Sequence, residues 1–176
     1  MFWYTANMKD ELLDLVNNQD EVIGTIWRSQ YAQLTEKKLG NIRAVAMLIK
    51  NKDRKLWIPK RTADKEIAPD ALDFSMAGHV SSGESYIQSA LREIREELNL
   101  DLNEADLQLV KKFAPMELPY FRELYTCDSD EAPDFNKQDY VSAEWLTPRE
   151  LLDKIDAGVP AQLIMRVAIS AVAETL

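Results

Sequence analysis

The chain of 176 residues has one cysteine, Cys127, and one histidine, His79. A lone thiol cannot close an intramolecular disulfide, so nothing in the sequence points to an oxidising compartment. A lone imidazole argues against a zinc site. Positive charge is short as well: 21 Lys and Arg stand against 30 Asp and Glu, for a formal net charge of -9. Nucleic acid polymers and anionic membranes are held by cationic patches, so that balance argues against both as general partners. No uncharged apolar run reaches the roughly 18 residues that a membrane helix needs. The start, "MFWYTANMKDE", lacks a basic lead and a long apolar stretch, which excludes a signal-peptide core. No repeat, low-complexity tract or long linker divides the chain. The expectation is a cytoplasmic protein folded as one domain over residues 1–176.

At 46% hydrophobic and 29% charged, the composition is that of an ordinary globular protein. "ELLDLVNNQDEVIGTIWRS" predicts a hairpin over about 12–27, with strands Leu12–Val16 and Glu21–Trp27 around "NNQD". Strands follow at Ile42–Lys50 and Lys55–Pro59, in "DFSMAG" up to Gly78, and at Leu107–Phe113, Phe121–Cys127 and Tyr140–Trp145. From Ser85 to Leu98 the apolar residues Ile87, Leu91, Ile94 and Leu98 recur at helical spacing. Two helices over about 147–175 end the chain. Thr147 is the cap of the first, with Pro148 and Glu150 behind it and Gly158 as its stop, and the second runs from Pro160 to about Thr175. Strands with one central helix and terminal helices predict an α/β sandwich with a mixed sheet, not a doubly wound one. The apolar faces of "ELLDKI" and "QLIMRVAISAV" offer either cover for the core or a homodimer interface.

The central helix crowds like charges. In "GHVSSGESYIQSALREIREELN", Glu93 lies three residues from Glu96 and four from Glu97. Such neighbours repel by roughly 0.2–0.5 kcal/mol per pair. With Ile87 at zero and ~100° per residue, the apolar stripe centres near ~20°, and Glu96, Glu93 and Glu97 fall near ~180°, ~240° and ~280°. Arg92 and Arg95 lie on the opposite flank, so they do not alternate with the acids as on a salt-bridged surface helix.

Outward from this cluster the spacing is specific. Gly78 is followed after five residues by Glu84, and after seven more by Arg92, Glu93, Ile94, Arg95, Glu96 and Glu97, then Leu98, Asn99 and Leu100. This resembles the Nudix box, here residues 78–100, at every specified position but one. Asn99 stands where the pattern has glycine, and asparagine is the residue that best tolerates the left-handed turn required there. The resemblance implies a Nudix-type α/β/α sandwich with a loop–helix–loop motif. It also implies a Mg²⁺-dependent pyrophosphohydrolase, with Mn²⁺ as a substitute ion, cleaving a phosphoanhydride by attack of water at phosphorus. By the same resemblance Glu96 and Glu97 are principal metal ligands, and Glu93 is a ligand or the base that orients water. Arg92 positions a glutamate, Glu84 is a weaker ligand candidate, and Gly78 lets the backbone approach the metal. Hard cations favour such oxygen-only donor sets. Repulsion in the helix is then the condition for convergence on a cation.

From about Leu12 to Leu152 the chain also resembles the Nudix branch that includes isopentenyl-diphosphate isomerase, through "LVNNQDEVIG", "WIPKRTADKEIAPDALDFSMAGHVSSGES" and "EWLTPREL". Ala77 stands at the isomerase's catalytic cysteine, and a single histidine cannot build its metal site, so isomerisation is not expected. Arg61 and Lys65 match residues that contact the diphosphate there, with Lys60 as a possible helper. His79 is a candidate to touch substrate or metal, and Glu144 a candidate further ligand or base. Cys127 reads as a small buried apolar residue. Trp27, Trp57, Tyr120 and Phe121 are stacking candidates whose plainer role is core. The leading expectation is hydrolysis of a small nucleoside di- or triphosphate or nucleoside diphosphate derivative. The alternatives are hydrolysis of a non-nucleotide isoprenoid or cofactor diphosphate, or a catalytically silent nucleotide-binding module.

Overall fold

The computed structural model describes residues 10–65 and 67–175, and the apolar start read above for a signal peptide lies outside them. The chain forms β1 (Leu12–Val16), β2 (Val22–Trp27), α1 (Ala32–Lys37), β3 (Ile42–Lys50), β4 (Leu56–Arg61), β5 (Met76–His79) and α2 (Tyr86–Leu98). It continues through β6 (Gln108–Phe113), β7 (Tyr120–Asp128), β8 (Tyr140–Leu146), α3 (Pro148–Asp156) and α4 (Met165–Ala173). Among the described residues no helix is long and apolar enough to cross a membrane.

β3 organises the molecule, because it is apolar on both faces. Val45, Met47 and Ile49 point to one side, where they pack with Ala90, Ile94 and Leu98 of α2. Ala46 and Leu48 point to the other, into a cluster with Leu151 of α3 and Met165, Ala168, Ile169 and Val172 of α4. A strand buried on both faces needs helices on both sides, and the result is an α/β/α sandwich. One edge of β3 pairs in parallel with β7 from Ile42↔Tyr120 to Lys50↔Asp128, and β7 pairs antiparallel with β6. The other edge is shared: Ala44–Met47 pair with β5, and Lys50 meets Leu56 of β4, which continues the sheet to β8. β1 and β2 form a separate two-stranded sheet. The sharing of that edge matters, since β5 ends where β4 diverges and the Gly78–His79 backbone is left beside α2.

Both expected helix starts are present. Ser85 accepts from the Gln88 N–H while Gln88 accepts from the Ser85 N–H, and Thr147 and Glu150 do the same for α3. Asn99 closes α2 at φ +52°, the left-handed conformation that its type permits. Two readings are corrected. The final helix begins at Met165, not Pro160, because Pro160 and Gln162 bond to the Leu72 backbone as a short extended bridge. α1 has no counterpart in the sequence reading; only Leu34 of its six residues is buried, too little for an apolar period to show.

Candidate active site

α2 places its acids within and beside its buried face. The residues it buries are Ser89, Ala90, Ile94 and Leu98, while Ile87 and Leu91 are only partly covered. At ~100° per residue the buried sector thus runs from Ser89 round to Leu98 and takes in Glu93 and Glu97, while Glu96 lies just outside it. Side-chain exposure follows this placement: 12% for Glu93 and 59% for Glu96.

Arg92 is the hub. Its guanidinium lies 3.1 Å from Glu84, 2.9 Å from Glu93, 3.3 Å from Glu96 and 3.9 Å from Glu11, and it donates to the His79 carbonyl and the Ser81 hydroxyl. Glu11 has a second cation, Arg28 at 3.6 Å, so four carboxylates meet two cations and the acids stay in excess. The arginine is held above its ordinary pKa: burial works against this, but hydrogen bonding to Glu84 and the charge of Glu93 outweigh it. Burial also acts against Glu84, yet donation from Arg92 and Ser89 keeps it below the usual carboxylate range.

Glu93 and Glu97 are the perturbed pair. Burial pushes Glu93 up to about 7, against the pull of Arg92 and with help from Glu11 and Glu96. Glu97 is pushed to about 8 by burial, then by the charges of Glu93 and Asp73. Glu97 accepts from the Tyr140 hydroxyl at 2.9 Å and from the Ala77 N–H at 3.3 Å, and no described cation is in ion-pair reach of it. Gly78 has a steric reason to be glycine: a Cβ there would fall on the carboxyl group of Glu93, well inside contact distance.

Glu84, Glu93, Glu96, Glu97 and Gly78 therefore lie in one region whose donor chemistry suits a hard cation: oxygen donors only, excess negative charge, and mutual repulsion in a partly dry setting. They do not form a ready-made cage. Among the described residues no three acidic, histidine or cysteine side chains enclose a point, because Glu84, Glu93 and Glu96 turn to Arg92 while Glu97 turns to Tyr140.

The other candidates are placed as follows. Arg61 pairs with the buried Asp73 and donates to the Ile67 carbonyl, Lys65 pairs with Asp139, and Lys60 lies 3.4 Å from Asp70. Asp73 and Asp139 both act on Glu97, so Arg61 and Lys65 border the acid cluster through their partners. His79 sits edge-on to Tyr120, pushed down to about 3 by burial and by the charges of Arg28 and Arg122, and is neutral near pH 7. Glu144 does not join the acids: it is exposed and pairs with Lys154 of α3 at 2.8 Å. Cys127 is buried against the Met47 sulfur, and burial raises its thiol to about 12, so it is no nucleophile. Trp57 is core, and Trp27 is exposed. The sequence reading missed Glu11, Asp73, Asp139 and Tyr140, which lie far from the motif in the chain and carry no spacing signal of their own. It also missed Arg122 of β7.

Comparison with known proteins gives a consistent result. Residues 40–167 match the NUDIX domain family. An uncharacterized Nudix hydrolase of Nostoc sp. is 42% identical over 154 residues, which cover 86% of this chain and 89% of that one. A Nudix hydrolase of Deinococcus radiodurans is 41% identical, with 89% and 91% covered. The crystal structure of a Deinococcus radiodurans protein superimposes with a TM-score of 0.82 at 39% identity, covering 91% of this chain and 98% of that one. A MutT protein from Methanosarcina mazei, at TM-score 0.59 and 17% identity over 77% and 96% of the chains, is similar in fold.

Proposed function

The chain belongs to the Nudix family and is a hydrolase, and from that premise we propose that it is a Mg²⁺-dependent pyrophosphohydrolase of a nucleoside di- or triphosphate or nucleoside diphosphate derivative. One observation carries the reading: Glu84, Glu93 and Glu96 around the guanidinium of Arg92, with a further acid, Glu97, that no cation meets among the described residues. Glu93, Glu96 and Glu97, with the carbonyl of Gly78 and the weaker Glu84, would hold Mg²⁺ or Mn²⁺. When bound, the ion neutralises phosphate charge and acidifies water for attack at phosphorus.

The rest is work for the chain's own residues. Arg92 fixes Glu84 and Glu93 through its planar fork, so that neither carboxylate has to be ordered when substrate arrives. The Tyr140 hydroxyl and the Ala77 N–H orient Glu97 from the opposite side. Glu93, the least exposed acid contacting Arg92, is the candidate to take the proton from the attacking water. Arg61 and Lys65 would exchange Asp73 and Asp139 for the phosphates, supplying the cations that so acidic a protein otherwise lacks. This exchange keeps a second reading in view: these two residues are the ones the isomerase likeness assigns to a diphosphate, which favours a non-nucleotide isoprenoid or cofactor diphosphate as substrate. A cytoplasmic setting and one domain over the whole chain complete the proposal.

The test is phosphorus NMR of the wild type and Glu97→Gln with Mg²⁺. The panel would hold nucleoside di- and triphosphates, nucleotide sugars, dinucleotides and isopentenyl diphosphate. Monophosphate release from one class, lost in the variant, identifies substrate and site together. No turnover with Mg²⁺ or Mn²⁺ would instead favour a silent binding module.

A further inference from the structure

Arg122 of β7 is the one arginine in the sheet whose charge the fold leaves unanswered. Its Nε is fully buried without a hydrogen-bond partner. Among the described residues no carboxylate lies within ion-pair distance of it, and its guanidinium sits against the ring faces of Phe74 at 5.7 Å and Tyr120 at 5.8 Å. Burial holds the guanidinium below its ordinary pKa, with only the more distant Asp73 and the Tyr120 hydroxyl in compensation. A guanidinium nitrogen buried without an acceptor is costly to the fold.

The side chain lines a narrow pocket of about 30 Å³ with Phe113, Met116, Leu118, Tyr120, Gln162 and Ile164. Glu117 lines it as well, beyond ion-pair reach of Arg122. That volume exceeds the roughly 10–15 Å³ needed by one water, and suits the oxygens of a small group rather than a base or a ring. The pocket is joined to the acid cluster: Gln162 donates to Asp73 at 3.5 Å, and Asp73 holds Arg61 and acts on Glu97. Register gives the separation. Ala44 faces both Arg122 and His79, and two residues on Ala46 faces Ala77, which donates to Glu97. Strand spacing and rise put the α-carbons of Arg122 and Ala77 ~12 Å apart.

We propose that this pocket is an anion subsite in which the Arg122 fork receives a carboxylate or phosphate group carried by the substrate apart from the diphosphate. Its place along the substrate rests on the hydrolase reading above; its binding of an anion does not. A planar guanidinium with a free edge pairs bidentately with either group. The subsite would select substrates with a second negative charge on the leaving side, about the length of a short linker away from the glutamates.

The test separates the two claims. In chelator, with no divalent ion present, ¹⁵N-labelled protein is titrated with inorganic phosphate and, separately, with acetate, while the Arg122 Nε–H and the amides of residues 113–120 are followed. A saturable shift that is retained in Glu97→Gln and lost in Arg122→Met supports the subsite. Tighter response to one anion names phosphate or carboxylate as the group. No saturable shift with either anion overturns the proposal, whatever the enzyme turns over. Arg122→Met should also keep or raise Tm, since it removes an unpaired buried charge; a lowered Tm would mark Arg122 as structural and count against the subsite. Arg122→Lys keeps the charge without the fork and gives a folded comparison with partial binding. For a pair of substrates that differ only in a second anionic group, Arg122→Met should shrink the wild-type preference in KM about ten- to hundredfold. An unchanged preference contradicts the assignment, and a wild type that hydrolyses nothing sinks the hydrolase reading while the titration still decides the subsite.

Discussion

Arg92 and Arg122 sit on opposite sides of the same charge problem. The first has four carboxylates within reach, and the second has none among the described residues. Elsewhere the charges mostly settle in local pairs: Arg95 with Asp101, Arg149 with Asp153, Lys154 with Glu144, Arg166 with Asp156. Exposed pairs of that kind are worth about 0–1 kcal/mol and explain little about function. An unbalanced, partly buried charge is different, since folding alone would discard it. Excess negative charge around Arg92 calls for a cation, and excess positive charge at Arg122 calls for an anion. On the proposed reading a metal and an acidic substrate would meet both demands at once.

The largest effect that would break this contrast belongs to Glu97. Glu97→Gln keeps the shape and the Tyr140 hydrogen bond but removes one charge, and should lower kcat by about 10²–10³-fold, the usual cost of losing one electrostatic stabiliser. Steady-state rates with circular dichroism as a fold control measure this, and a rate within a few-fold of wild type would remove Glu97 from the site. Gly78→Ala comes next. The added Cβ displaces the Glu93 carboxyl group, the far end of a flexible side chain, so activity should be lost with a stability change of no more than about 1 kcal/mol by thermal melting. Arg92→Lys retains a charge but not a fork that serves Glu84, Glu93 and Glu96 together, and a fall in activity of about 10–100-fold is expected.

The metal-free protein should show the repulsion directly. Glu93 and Glu97 rise from an ordinary 4.5 to about 7 and about 8 on folding. A raised carboxyl binds more protons folded than unfolded, so its penalty is absent below pH 4.5 and grows as pH climbs through the window to about 8. Tm in chelator should fall across that window, and Glu97→Gln should flatten the decline. A Tm that rises with pH in both proteins would contradict the account. The smallest effect is expected at Glu144, outside both regions: Glu144→Gln should change stability by no more than about 0.5 kcal/mol and leave turnover within about twofold. A large loss there would restore it as a ligand or base.

The sequence made the scaffold of the first region readable for a physical reason. Spacing along one helix fixes which side chains share a face, so Glu93, Glu96 and Glu97 could be grouped without coordinates. Asn99 and the Thr147 cap declare backbone geometry through residue type alone, and the structure shows both as expected. Arg122 was illegible because its significance is the absence of a partner, a property of the packed state that no local pattern records. Asp73 and Tyr140 were missed for a related reason, since they reach Glu97 through strand pairings far apart in the chain. Glu144 shows the reverse error: it lies in a suggestive stretch, "SAEWLTP", but β8 directs it to Lys154. The expected α2 stripe of Ile87, Leu91, Ile94 and Leu98 is half right: Ile94 and Leu98 are buried, while the rest of the buried face is turned toward the acids by Ser89 and Ala90, small residues that carry little hydrophobic signal.

The most direct measurement is a titration of the metal-free protein with Mn²⁺, followed by electron paramagnetic resonance, in the wild type and in the Glu93→Gln, Glu97→Gln double variant. The account predicts saturable binding by the wild type, displaced by Mg²⁺ and abolished in the double variant while its fold is kept. Equal binding by the two proteins would show that the surplus of carboxylates around Arg92 is not what holds the cation.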